Sequence, residues 1–126
     1  MNRLTIIFAL LQSYSMATKI QNGEELHEMV NSLETILLYF YNDNCAPCLS
    51  LRPKVEQLLN DKFPKINLVY VNSMEHPELT AEYGVFAFPV IIFMVEGKEF
   101  IRYSKYVSMV ELSEAVGRIY QMYYSN

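Results

Sequence analysis

Ile36-Leu37-Leu38-Tyr39-Phe40-Tyr41-Asn42-Asp43-Asn44-Cys45-Ala46-Pro47-Cys48 is the stretch on which the fold turns. Residues 36–41 are apolar or aromatic without a break. That run has the length of a strand and the pattern of one covered on both faces. The polar lead-in Asn42-Asp43-Asn44 ends it, and beyond the cysteines Leu51, Val55, Leu58 and Leu59 recur at helical spacing. Pro47 suits the first turn of that helix, because its φ is already set and its missing N–H would have had no intrahelical partner there. A buried strand therefore runs into a helix whose N-terminus carries a cysteine pair.

A thiolate attacks a disulfide far better than a thiol does, and a helix N-terminus lowers a cysteine pKa from its free value of about 8.5 by offering unpaired N–H groups and the positive end of the macrodipole. The pattern places Cys45 at the N-cap, exposed, and Cys48 one turn in and more buried. At this spacing Cys48 can reach back and resolve a mixed disulfide formed on Cys45. Structural zinc normally takes four ligands, and two cysteines with the isolated His27 and His76 do not supply them in a zinc-binding spacing, so no metal site is expected. An inert buried pair is the other reading. Pro47 and the polar lead-in argue against burial of the first cysteine.

The chain has 126 residues, which fits one domain able to bury a core without disulfide staples. Its only two cysteines are too few for a disulfide framework and read as catalytic. Ten basic and fourteen acidic residues give a net charge of −4 with no block of one sign, which makes nucleic acid an unsuitable partner. Residues 1–16 form a separate N-terminal extension with a weak resemblance to a signal peptide: Met1-Asn2-Arg3, the apolar stretch Leu4 to Leu11, and small residues near Ser15-Met16-Ala17. A cleaved signal, an extra packed element and an upstream start codon before Met16 all remain open. The apolar stretch is too short to span a bilayer, which takes about twenty residues, so stable membrane insertion is not expected. A cytoplasmic location is the reading preferred here, with export the alternative if residues 1–17 are a cleaved signal.

From residue 17 to 126 the chain reads as one domain. Thr18 to Gln21 suggests a short edge strand before the Asn22-Gly23 turn. An amphipathic helix follows, with Leu26, Met29, Val30 and Leu33 inward and His27 solvated. In the helix after the cysteines, Arg52, Lys54, Glu56 and Lys62 fall on the side away from the leucines, and Pro53 sits inside it. Asn67 to Asn72 makes the next strand. His76-Pro77 opens a short helix closed by Gly84, with His76 on the surface of the turn. Val90 to Val95 is a strongly apolar strand joined by Glu96-Gly97-Lys98 to a partner over Glu99 to Lys105. Ser108 then N-caps a final helix, with Glu111 in capping-box spacing and Leu112, Val116, Ile119 and Tyr123 inward. The order is βαβαβαββα, an α/β sheet with helices on both faces.

These residues together resemble the thioredoxin family from about Thr18 to the C-terminus. The resemblance rests on the strand before Cys45-Ala46-Pro47-Cys48, on Pro53, on Tyr83-Gly84-Val85-Phe86-Ala87-Phe88-Pro89, and on the Val90 strand with the Gly97 hairpin. It implies a thioredoxin fold with a central mixed sheet and a cis peptide bond at Phe88-Pro89 beside the cysteines. It also implies that Cys45 and Cys48 are catalytic and that Ala46, Pro47, Phe88 and Pro89 meet the substrate chain, the backbone of Phe88 pairing with it. The family's buried Asp is replaced by Tyr39, its usual Lys partner by Tyr70, the Trp before the first cysteine by Asn44, and the Gly between the cysteines by Ala46. Lys105 stands where a groove glycine is expected, and Val90 where Thr is common. Loss of the carboxylate removes a proton acceptor near Cys48, which predicts a slower resolving step than in a typical thioredoxin.

The resulting expectation is a monomeric thiol-disulfide oxidoreductase that reduces protein disulfides and contributes to redox homeostasis. It would need no cofactor and would draw electrons from an upstream reductase or thiol pool. The rival is a thioredoxin-fold binding or chaperone-like module with dispensable cysteines, motivated by the altered groove and by the aromatic potential of Tyr120, Tyr123 and Tyr124.

Overall fold

The computed structural model describes residues 17–125, so the readings made for residues 1–16 lie outside the described residues. The centre of the molecule is strand β2, Thr35–Tyr41, buried along its whole length. It pairs in parallel with β3, Asn67–Asn72, and antiparallel with β4, Val90–Val95. Strand β1, Ala17–Lys19, joins the outer side of β3 in parallel, and β5, Lys98–Ser104, joins β4 antiparallel. The five-stranded mixed sheet thus has the order β1-β3-β2-β4-β5.

Side chains alternate between the two faces of a strand, and both faces of this sheet are covered, so its three inner members are apolar apart from Thr35, Asn67 and Asn72 at their ends. Leu37, Tyr39 and Tyr41 of β2, Leu68 and Tyr70 of β3, and Ile91, Phe93 and Val95 of β4 line one face. Their neighbours Ile36, Leu38, Phe40, Val69, Val71, Val90, Ile92 and Met94 line the other. Helices α2, Ala46–Lys62, and α4, Met109–Tyr124, cover the first face through Val55, Leu59, Leu112 and Val116. Helices α1, Gly23–Ser32, and α3, Pro77–Glu82, cover the second through Leu26, Val30 and Leu79. Each large side chain sealed in this way contributes about 1.5–3 kcal/mol. The observed order is the βαβαβαββα expected from the sequence.

Local chemistry sets the boundaries. The Ile20 N–H still donates to Tyr70 O at 3.3 Å, but the Gln21 N–H turns to the Glu25 carboxylate at 3.2 Å and Asn22 Oδ1 accepts from Glu25 N at 2.9 Å. The edge strand therefore spans Ala17–Lys19 rather than Thr18 to Gln21, because its last residues are drawn off to cap α1. The β4–β5 hairpin turns through Glu96 and Gly97, both left-handed at φ 48° and 80°, a backbone whose twist matches paired strands. Gly84 closes α3 at φ 66°, as expected of a residue without Cβ after a helix end. Ser108 Oγ caps α4 by accepting from Glu111 N at 3.2 Å.

Of the three tyrosines near the C-terminus, Tyr123 turns inward as its helical spacing implies, and all three find hydrogen-bond partners. Tyr123 donates to the Glu96 carboxylate at 2.5 Å, Tyr124 shares a hydrogen bond with Thr35 at 2.8 Å, and Tyr120 accepts from Lys65 N at 3.3 Å. Tyr120 also packs on Phe63 and Tyr124 at ring distances of 5.1 and 4.7 Å. They bind the end of α4 to the sheet and to the loop after α2; they are not a free aromatic surface. Amphipathic tyrosines on a half-buried helix face settle wherever a hydroxyl partner lies within reach.

Candidate active site

The loop between β2 and α2 is built by its own polar residues. Asn42 Oδ1 accepts from Asn44 N at 2.9 Å, Asn42 O accepts from Cys45 N at 3.4 Å, and Asp43 accepts from Asn72 Nδ2 on β3 at 3.1 Å. This turn delivers Cys45 to the N-cap of α2 in extended conformation, φ −103° and ψ 99°. Cys45 Sγ accepts from the Cys48 N–H at 3.2 Å, the capping bond that an N-cap oxygen would otherwise make. The two cysteines are joined as a disulfide, with Cα atoms 5.3 Å apart. Cys48 is buried, as expected; Cys45 is half-buried rather than exposed, since it packs against the edge of the core. Ala46 and Pro47 are exposed beside it.

The Phe88-Pro89 peptide bond is cis. Pro89 is buried and Phe88 half-buried, its ring packed against the hydrophobic clusters on both faces of the sheet. Pro89 O accepts from the Lys105 N–H at 2.8 Å. Lys105 holds φ at 69°, a left-handed conformation that costs a residue with a Cβ about 1–2 kcal/mol. Pro47 and Pro89 line one groove together with Lys54 and Lys105. Phe88 does not line it.

Beneath Cys48 lies a polar layer whose outer half the sequence pattern misplaced. The Tyr39 hydroxyl donates to the Cys48 carbonyl at 2.5 Å, and the Tyr39 ring meets Tyr70 edge to face at 5.4 Å. Tyr70 in turn donates to the Glu56 carboxylate, while the Arg52 guanidinium lies 4.0 Å over the Tyr70 ring and 5.0 Å from that of Tyr41. Helical spacing puts Arg52 and Glu56 on the solvent side of α2, but both are half-buried and turned to the sheet. The cause is the tyrosines, which offer a cation-binding face and a hydroxyl donor where purely apolar neighbours would have rejected charge. The i, i+4 spacing of Arg52 and Glu56 gains this meaning only once β2 and β3 bring Tyr39, Tyr41 and Tyr70 onto one face.

Burial pushes the Tyr39 phenol up to about 12, and burial followed by the Glu56 hydrogen bond raises that of Tyr70. Tyr39 is thus a fixed donor and no base for the Cys48 proton. Its raised pKa favours the neutral folded form. The associated stabilisation is whole below the ordinary tyrosine value near 10 and is lost as pH rises through about 12. Tyr39→Phe should cost about 1 kcal/mol at neutral pH, from one hydrogen bond, and should flatten part of the alkaline loss. Urea midpoints from pH 8 to about 11.5 measure both, and an unchanged alkaline slope in the variant would assign that loss to other tyrosines.

His27 pairs with Glu82 at 3.0 Å between α1 and α3, and His76 forms the N-cap of α3. Among the described residues no group of three or more His, Cys, Asp or Glu side chains is placed to hold a metal ion, and no helix is long and apolar enough to cross a membrane.

The thioredoxin family model matches residues 17–118. The chain is similar to the thioredoxin-like protein YdfQ of Bacillus subtilis, 29% identical over 105 residues that cover 78% of this chain and 92% of that protein. Among solved structures it is similar to Fasciola hepatica thioredoxin, with a TM-score of 0.72 at 28% identity, covering 80% of this chain and 97% of that one. It shares the fold of the oxidized mitochondrial thioredoxin 3 of Saccharomyces cerevisiae, with a TM-score of 0.74 at 22% identity and coverage of 84% and 98%.

Proposed function

This chain belongs to the thioredoxin family, and on that premise we propose that it is a thiol-disulfide oxidoreductase that reduces protein disulfides through reversible opening of the Cys45–Cys48 bond. The observation that carries the reading is the position of the pair: one sulfur caps a helix of seventeen residues and the other lies buried one turn in, while Pro47 between them shares a groove with Pro89 of the cis bond.

In the reduced protein the Cys45 thiolate, favoured by the α2 N-terminus, attacks one sulfur of a substrate disulfide. That S–S bond breaks, and the departing substrate sulfur takes a proton from solvent. The Cys48 thiol then gives its proton to water, attacks Cys45 Sγ, and expels the second substrate thiolate, so that two electrons have passed from the pair to the substrate. Ala46 and Pro47 border the attacking sulfur, and Phe88 and Pro89 position the substrate chain, the Phe88 backbone pairing with it. With Tyr39 locked as a donor to the Cys48 carbonyl, water as the proton acceptor makes resolution slower than with a carboxylate at that place. A dithiol pool or an upstream reductase reopens the disulfide, and the chemistry asks for no bound cofactor. The protein works as a monomer and, in the location preferred from its sequence, in the cytoplasm.

The test is insulin reduction driven by dithiothreitol, with wild type and Cys45→Ser side by side, coupled to a redox titration of the pair. Wild-type turnover that is lost in the variant is the expected result. Equal rates for the two proteins would mean that the cysteines do not carry the reaction, and would favour a binding module instead.

A further inference from the structure

Beside the cysteines a groove of about 420 Å³ is lined by Pro47, Lys54, Pro89, Lys105, Tyr106 and Ser108, among others. Its charge is one-sided. Lys54 and Lys105 are both exposed, and no carboxylate among the described residues lines it, although the chain as a whole carries a net charge of −4. Neither lysine takes part in an ion pair among the described residues; the pairs there are Lys19–Glu75, His27–Glu82 and Arg102–Glu99. Two helix starts also meet at this groove: Pro47 lies in the first turn of α2 and Ser108 is the N-cap of α4. Both add positive potential. The acidic residues nearest in sequence, Glu56, Glu111 and Asp43, do not line it; Glu56 accepts from Tyr70 instead.

Lys105 is the informative member. It keeps a left-handed backbone that glycine would adopt without strain, and its N–H is fixed to Pro89 O at 2.8 Å. Strained backbone of this kind clusters at functional sites and persists where the surrounding structure holds it, as the Pro89 hydrogen bond does here. Here Lys105 lines the groove together with Pro89 and with Tyr106, which is 88% exposed.

We propose that this groove selects disulfides flanked by acidic residues: the preferred substrate is an extended segment carrying Asp or Glu within two or three residues of its cystine, laid along Pro89 with its carboxylates towards Lys54 and Lys105. The inference rests on the oxidoreductase reading above and adds its substrate class. Complementary charge acts chiefly by raising the encounter rate and excluding wrong partners.

The test uses pre-reduced full-length protein and three cystine peptides identical except for flanking Glu, Gln or Lys, with thiol release followed by chromatography after acid quench. At low ionic strength the Glu peptide should react about tenfold faster than the Lys peptide, and the ratio should fall to within about twofold at 0.5 M salt. The double variant Lys54→Glu/Lys105→Glu should reverse the order, and Lys105→Gly should reduce the preference without reversing it. Equal rates for the three peptides, or a preference indifferent to salt, would overturn the inference and leave the oxidoreductase standing. Failure of the wild type to reduce any of the three would overturn both. The salt series on the wild type decides the question even where the double variant does not fold.

Discussion

Cys48→Ser is expected to arrest the protein on its substrate, accumulating one substrate chain per molecule as a mixed disulfide on Cys45. The half-buried Cys45 at the helix N-cap can still attack, but the buried partner that would expel the substrate is gone. An oriented intramolecular group acts at an effective molarity of about 10⁵ M or more, against a millimolar external thiol, so turnover should fall by at least about 10³-fold. Non-reducing electrophoresis and intact mass after mixing with a disulfide-bonded protein read the adduct directly. Cys45→Ser should form none. An adduct on Cys48 in that variant, or preferential alkylation of Cys48 in the reduced wild type, would exchange the two roles and misplace the start of α2.

The second large effect concerns stability. Phe93→Ala should cost about 3–5 kcal/mol, a large share of the 5–15 kcal/mol typical of a folded domain. Phe93 is fully buried on β4, opposite Leu37 of β2 and Ile101 of β5, in the cluster that α2 and α4 cover. Removing its ring leaves a cavity walled by strands that cannot collapse inward. Phe86, by contrast, is 86% exposed, and Phe86→Ala should stay within about 0.5 kcal/mol. Urea unfolding of the oxidised proteins compares the two; a loss below about 1 kcal/mol at Phe93 would contradict its place at the centre of the sheet.

What could be read from the chain in advance followed from patterns that need no tertiary information. The uninterrupted run at Ile36 to Tyr41 announces a doubly covered strand because period-two alternation cannot hide it, and Pro47 marks the helix start whatever packs above. Val90 to Val95 was legible for the same reason, and its observed bounds agree. The inward turn of Arg52 and Glu56 was not, since helical spacing places charge on the wet face by default and only the tyrosines of two separate strands reverse that preference. The hydroxyl partners of Tyr120, Tyr123 and Tyr124 were hidden on similar grounds: Lys65, Glu96 and Thr35 lie far off in sequence. The shortened edge strand reflects a contest between a sheet ladder and a helix cap for the same residues, decided by the Glu25 side chain.

Phe88 sits where the two hydrophobic clusters meet, its ring lodged against both. A peptide that pairs with its backbone therefore meets a dock that is already rigid, and nearly all the loss of freedom on binding falls on the peptide. Cystines held in mobile, extended loops can adapt to such a dock, whereas those locked inside a folded core must first be released. On the proposed reading, such a dock would favour the accessible disulfides of incompletely folded chains, chosen by their looseness as much as by their chemistry.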